Sequence, residues 1–217
     1  AEFPERYRGY GRRWAELNPG WKVVDWGVDE EYLPADFPNL DIWDEIGRVG
    51  VFSGTGATGE QAIAVQRADV AGYGLVWRFG GVYVNCDIEP VRPLEPWIDD
   101  VVGERAFAGY EDQRFLNNAV LGGPPGHPFW GAVVEALGPR YRSMPGAMMN
   151  QVTGPYLLTG VWQGWEGDDF LAVEREVFNP VHYSQVPAGG YVEEFDLDAH
   201  PKTISLHHWG HRLEAAT

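Results

Sequence analysis

Asn85 and Asp87 stand two residues apart directly after the apolar run Val82-Tyr83-Val84. In an extended chain, side chains two apart point to the same side. If strand geometry persists, an amide and a carboxylate converge on one point. Two oxygen-bearing side chains at a strand end are how an open α/β sheet presents a ligand site. Three other groups are candidates by residue type. Asn117 and Asn118 can each donate and accept hydrogen bonds. Asp168-Asp169 lies in a G-D-D turn and reads as solvated turn carboxylates. The stretch 203–208, TISLHH, reads as a strand that ends in His207 and His208, followed by Trp209.

These groups need elements to hold them. Ile63, Val70 and Trp77 recur every seven residues, with Tyr73 on the same face, which is helical spacing. Gly80-Gly81 stops that helix, because glycine takes the left-handed conformation a helix end often needs. Val82-Tyr83-Val84 then reads as a strand. Upstream, Tyr7, Tyr10, Trp14 and Leu17 fall at helical intervals, and Asn18-Pro19-Gly20 ends the helix. WKVVDW, residues 21–26, reads as a strand. Asn39 is placed to cap a helix over 40–49. The glycine-rich 50–59 lacks the G-K-S/T ending of a phosphate loop and reads as a flexible loop. RAFAGY, residues 105–110, reads as a strand. Phe129, Val133 and Leu137 form a helical stripe, and Pro155 suits a first helical turn. Strands and helices alternate through the first half, so the expectation is a mainly parallel α/β sheet flanked by helices.

The totals narrow the classes. A chain of 217 residues with 44% hydrophobic content builds one domain, residues 1–217, with a sizeable core. The formal net charge of −16 argues against a broad phosphate-backbone footprint, so a nucleic-acid partner is disfavoured. An anionic substrate would need a metal or a basic cluster such as Arg12-Arg13, Arg140 and Arg142. Cys86, the one cysteine, forms no intramolecular disulfide and is expected to be a buried small hydrophobe. There is no run of about 18 apolar residues and no signal-peptide pattern, so no membrane span and a cytoplasmic location are expected.

The central stretch resembles the DXD-containing sugar-transferase family, which includes yeast initiating mannosyltransferases, bacterial capsule enzymes and the catalytic cores of glucosylating clostridial toxins. The resemblance is carried by Ala68-Asp69, by Gly80-Gly81-Val82-Tyr83-Val84-Asn85-Cys86-Asp87 and by Pro93-Leu94. It extends to W-x-x-L-N-P-G-W at 14–21, to Asn117-Asn118, to Thr153-Gly154-Pro155, and to His207 and Trp209 of an H-x-W tail. Three positions depart from the family pattern: Asn85 replaces the first aspartate, Gly72 an arginine, and Arg212-Leu213 a Ser-Trp pair. The strand that opens the family pattern has no counterpart in Ala1–Arg6.

The resemblance implies a GT-A-type fold and a retaining transferase that moves a sugar from a UDP- or GDP-linked donor to a hydroxyl acceptor. It implies that Asp87 holds Mn²⁺ or Mg²⁺, with His207 completing the metal shell; imidazole with carboxylate suits Mn²⁺. Asp87 and Asn85 are the implied catalytic pair. Asp69, Tyr83, Gly81, Gly154, Trp209 and Asn118 are the implied donor-side residues. A glycan, small molecule or protein is the expected acceptor. A noncatalytic nucleotide-sugar or glycan-binding protein on the same scaffold is the alternative, motivated by the three departures.

Overall fold

A computed structural model describes residues 5–26, 33–49, 59–186 and 190–210. In chain order the elements are α1 (Tyr10–Leu17), α2 (Leu40–Val49), α3 (Gly59–Phe79), β1 (Gly81–Val84), β2 (Ile88–Pro90), α4 (Glu95–Trp97), β3 (Ala106–Tyr110) and β4 (Leu116–Gly123). There follow α5 (Pro128–Ser143), α6 (Met149–Val152), α7 (Pro155–Gln163), β5 (Phe170–Val173), α8 (Arg175–Phe178) and β6 (Ser205–His207). Four strands form a central sheet in the order β1-β4-β3-β5, and β2 pairs with β6 in a separate ribbon.

The α/β class with helices flanking a sheet is borne out. The mainly parallel arrangement is not. Among the described strands only β3 and β5 pair in parallel; β4 runs antiparallel to both β1 and β3. The cause is local, since β3 and β4 are joined by residues 111–115 alone, and so short a link turns the chain back on itself.

The sheet is buried on both faces, and its strands divide their residues accordingly. Ala106, Ala108, Leu116 and Leu121 face a core shared with Ile42, Trp43 and Ile46 of α2, Val70 and Tyr73 of α3, Phe129, Trp130 and Val133 of α5, and Leu157 and Leu158 of α7. Phe107, Ala119, Val120 and Val173 face the other core, with Trp14 of α1, Ile88, Leu94, Val102 and Phe178. Each such side chain taken from water contributes ~1.5–3 kcal/mol before the entropy of ordering it is subtracted.

Several elements match the sequence pattern. Helix α3 ends at Phe79, and Gly80 and Gly81 follow with φ of +68° and +81°. Gly154 is the residue before α7 and Pro155 its first. Residues 21–26, however, form no strand; Val23, Val24 and Trp26 are exposed and lack a neighbouring edge to pair with. Asn39 precedes α2 with φ +58°, yet its amide donates to Val134 O (2.8 Å) and pins α2 to α5. Cys86 is exposed rather than buried. Gly50 and residues 51–58 of the glycine-rich loop lie outside the described residues.

Candidate functional site

Strands β1, β3 and β5 share one direction and β4 opposes them. The carboxyl ends of three strands and the amino end of β4 therefore lie along one edge. This edge gathers the residues that follow β1 (Asn85 and Asp87), the turn after β3 (Glu111–Phe115) and the start of β4 (Asn117 and Asn118). The expectation that Asn85 and Asp87 share a side through strand geometry is corrected. The strand stops at Val84, and Ile88 N donates to Asn85 O (3.1 Å), closing a turn. Asn85 is tied to β4 by its own N–H, which donates to Ala119 O (2.8 Å), and its half-buried carboxamide has no partner among the described residues.

Asp87 is aimed by the β2–β6 ribbon. Ile88 pairs with His207 in that ladder, and His208 N donates to Asp87 O (3.1 Å). The buried carboxylate accepts Gly210 N–H at Oδ2 (2.7 Å), and His207 Nε2 stands 3.4 Å from the same oxygen. The tautomer of His207 follows from its neighbour. Asn179 Nδ2 donates to Tyr110 O (3.2 Å), which leaves Asn179 Oδ1 facing His207 Nδ1 (3.2 Å). A carboxamide oxygen only accepts, so Nδ1 carries the proton. A neutral His207 then points the Nε2 lone pair at a carboxylate. Two such groups at that distance are stable with a proton or a metal cation between them. An imidazole whose second nitrogen donates to an amide oxygen is the supporting arrangement of a metal-ligating histidine. Asp87 and His207 thus fit a hard-to-borderline divalent ion such as Mn²⁺ or Mg²⁺. Among the described residues, no group of three or more His, Cys, Asp or Glu side chains converges as a metal cage. The remaining ligands would come from substrate oxygens and water, as is usual for Mg²⁺ with phosphates.

A second carboxylate, Asp69 of α3, is held differently. Thr153 Oγ1 donates to Asp69 Oδ2 and Asn118 Nδ2 donates to Oδ1, both at 2.7 Å. Burial pushes the Asp69 carboxyl up to about 7, against the opposing pull of those two hydrogen bonds. Tyr83 packs beside it, with its hydroxyl 3.4 Å from Ala68 O as donor. Tyr73 OH reaches toward Gly154 O (3.5 Å). The structure therefore brings together Asp69, Tyr83, Asn118 and Gly154, four of the six donor-side candidates. Asn117 and Asn118 split across the sheet by strand alternation. Asn118 meets Asp69, while Asn117 Nδ2 donates to Glu111 Oε2 (3.3 Å) toward the His207 side.

The other two candidates are placed elsewhere. Gly81 pairs with Gly123 at the far end of β1, roughly 13 Å from Asn85 by strand rise. Its role is the helix-to-strand turn. Trp209 is buried, stacks on His207 (ring centroids 3.9 Å apart) and donates its indole N–H to Val181 O (3.0 Å). It backs the histidine. Asp169 accepts from Trp165 Nε1 (2.9 Å) and faces His127 Nε2 (3.5 Å), so one of the turn pair is a structural anchor near the start of β5. His208 is also structural: Nδ1 accepts Val192 N–H (3.1 Å), and Nε2 therefore donates to Glu89 (3.0 Å).

Sequence reasoning missed Glu111 and gave no role to the side chains of Asn179, in Phe178-Asn179-Pro180, and Thr153, in Thr153-Gly154-Pro155. Burial holds the Glu111 carboxyl above the usual carboxylate range, with His207 and Asn117 pulling it back. No local pattern shows what these three hold, since each acts on a partner 6 to 84 residues away. Gly72, where the resemblance expects an arginine, is closed by Tyr83: an added Cβ would stand 2.9 Å from the ring.

The family model described as glycosyltransferase sugar-binding region containing DXD motif matches residues 4–103. The recognition drawn from residues 68–94 is borne out. The chain is 25% identical over 222 residues to inositol phosphoceramide mannosyltransferase 3 of Schizosaccharomyces pombe, covering 96% of this chain and 56% of that protein. It is 26% identical over 157 residues to the human alpha-1,4-N-acetylglucosaminyltransferase, covering 66% of this chain and 42% of that one. The chain thus spans about half the length of these relatives. In fold it is similar to the PaToxG glycosyltransferase, with a TM-score of 0.53 over 76% of this chain and 64% of that chain at 10% identity. No helix among the described residues is long and apolar enough to cross a membrane.

Proposed function

We propose that the chain is a metal-dependent, retaining glycosyltransferase that takes a hexose from a UDP- or GDP-linked donor and places it on a hydroxyl acceptor. The observation that carries the reading is the Asp87–His207 pair. Asn179 accepts the hydrogen bond of the histidine Nδ1–H, so that a carboxylate oxygen and the imidazole Nε2 face one point. Mannosyl- and N-acetylglucosaminyltransferase relatives support the transferase class.

Asp87 and His207 would hold the cation, whose chemistry is to neutralise charge developing on the leaving diphosphate. The protein's own part is positional. Asn85 offers an unpartnered carboxamide to ribose or donor-sugar hydroxyls. Asp69 holds Asn118 and the Thr153-Gly154 junction in one place, which fixes the wall against which the sugar lies. Tyr83 and Tyr73 exclude water from that wall. In the transfer itself the acceptor oxygen bonds to the anomeric carbon as the bond from that carbon to the diphosphate oxygen breaks. The hydroxyl proton leaves with the diphosphate.

Nucleotide release from a panel of UDP- and GDP-sugars, with Mn²⁺, with Mg²⁺ and with chelator, tests the reading. Metal-dependent release from one donor is expected. Donor binding with no turnover, with or without acceptors, would instead establish a noncatalytic sugar-nucleotide binder.

A further inference from the structure

A cavity of about 440 Å³ is lined by Tyr110, Asp112, Gln113, Glu174, Arg175 and His182. Its size is within the range of small-molecule sites. Its walls are the carboxyl ends of the parallel strands β3 and β5, the edge on which an open α/β sheet takes ligands. It is joined to the metal pair by two hydrogen bonds. Tyr110 accepts from Asn179 through its carbonyl, and Asn179 accepts from His207. The cavity is separate from the cluster of Asp69, Asn118 and Thr153, so the donor wall leaves it open.

The charges in the cavity are unevenly satisfied. Asp112 Oδ1 accepts from the backbone N–H groups of Arg114 and Phe115 (2.7 and 2.9 Å). Glu174 is bound by Lys202 (2.8 Å), and the neighbouring Glu176 faces His200 (3.5 Å). Arg175 is half-buried, and no carboxylate pairs with its guanidinium among the described residues. Arg67, Arg92, Arg105 and Arg140 also lack a carboxylate, but each donates to a backbone carbonyl, whereas no hydrogen bond of the Arg175 side chain is found among the described residues. The carboxylates on either side of Arg175 in sequence, Glu174 and Glu176, thus each face another side chain. Gln113 is exposed and also without a recorded partner among the described residues. A guanidinium fork held in this way matches a phosphate or carboxylate in geometry as well as charge.

We infer that this cavity is the acceptor subsite and that Arg175 selects an acceptor carrying a phosphate group beside its reactive hydroxyl. The inference rests on the transferase reading and narrows its acceptor from any hydroxyl compound to an anionic polyol. The phosphate seats on Arg175, polyol hydroxyls meet Gln113, Asp112 and the Tyr110 hydroxyl, and one hydroxyl is directed along the edge toward the metal pair.

The test is a binding titration that needs no turnover. Glycerol, glycerol 3-phosphate and glycerophosphoglycerol are titrated into the intact chain by calorimetry, then into Arg175→Gln and Arg175→Lys. Arg105→Gln, at the opposite end of β3, controls for net charge. Melting temperatures within about 2 °C of the parent establish that each variant is folded. Binding of either phosphate compound but not of glycerol is expected, with affinity falling tenfold or more in Arg175→Gln, partly restored in Arg175→Lys and unchanged in Arg105→Gln. Preference for the diester points to a lipid-type headgroup and preference for the monoester to a free phosphorylated polyol; both uphold the site. Equal binding of glycerol and its phosphate, or equal affinity in Arg175→Gln, would overturn it. Because the readout omits the donor, a chain that binds glycerol 3-phosphate through Arg175 but no nucleotide sugar would instead strike the transferase reading.

Discussion

Two carboxylates organise the functional edge, and they are held in opposite ways. Asp69 is enclosed by neutral donors, a threonine hydroxyl and an asparagine amide, and burial raises its pKa to about 7. Asp87 is equally buried, yet its oxygen faces an imidazole nitrogen and the backbone N–H of Gly210. The first environment can stabilise a protonated or neutral group. The second requires positive charge. Surroundings, rather than residue type, separate a carboxyl that fixes architecture from one that fits a cation.

The largest expected effect breaks the second environment. Asp87→Ala leaves His207 with nothing opposite its Nε2, and sugar transfer should fall by roughly 10²-fold or more with the fold intact, measured as product formation and melting temperature. Retained activity would mean the pair has no role in the reaction. Next in size is Asn179→Ala, which touches neither metal nor donor in this account. It frees the His207 tautomer and should weaken Mn²⁺ binding ~10- to 100-fold, read by calorimetry.

The first environment is sharpened by pH. The folded Asp69 carboxyl keeps its proton up to about pH 7, whereas the unfolded one loses it near 3.8. The folded state therefore binds more protons between those values. Stability contributed by this group is full below about pH 4, falls as pH rises toward 7 and levels off above. Asp69→Asn should flatten that slope in denaturant titrations and gain on the parent at pH 8, by on the order of 4 kcal/mol at most. The asparagine oxygen can accept from Asn118, and its amide can donate to Thr153 Oγ1. An unchanged slope would show that another group carries the dependence.

The smallest effect is steric. Gly72→Ala puts a Cβ 2.9 Å from the Tyr83 ring and should cost ~1–3 kcal/mol of stability. An arginine, expected at this position from the resemblance, has no room unless Tyr83 moves. Full stability of the alanine variant would show that the ring gives way freely.

How much of this was legible before folding depends on sequence distance. The helix over 59–79, its glycine stop and strand β1 follow from spacing within one stretch, and the motif 80–87 carried the family resemblance. The resemblance already paired Asp87 with His207, and the β2–β6 ribbon brings them together; Asp69 and Asn118 were named as separate donor-side residues, and the fold joins them. The antiparallel β4 was hidden because residues 111–115 resemble a loop of any kind until they close a hairpin. Residues 21–26 have a strand's composition without a partner edge, and composition does not encode partners. Asn179 and Thr153 act by holding another residue's proton or carboxylate, a function with no local signature.

The central claim is that Asp87 and His207 bind a cation that a sugar nucleotide shares. The most direct measurement is a Mn²⁺ titration followed by electron paramagnetic resonance, with and without the donor found in the nucleotide-release screen, on the parent chain and on Asp87→Ala. The account predicts Mn²⁺ binding that tightens when the donor is added and is lost in Asp87→Ala. Donor binding of equal strength with and without metal, or undiminished Mn²⁺ binding in Asp87→Ala, would contradict it.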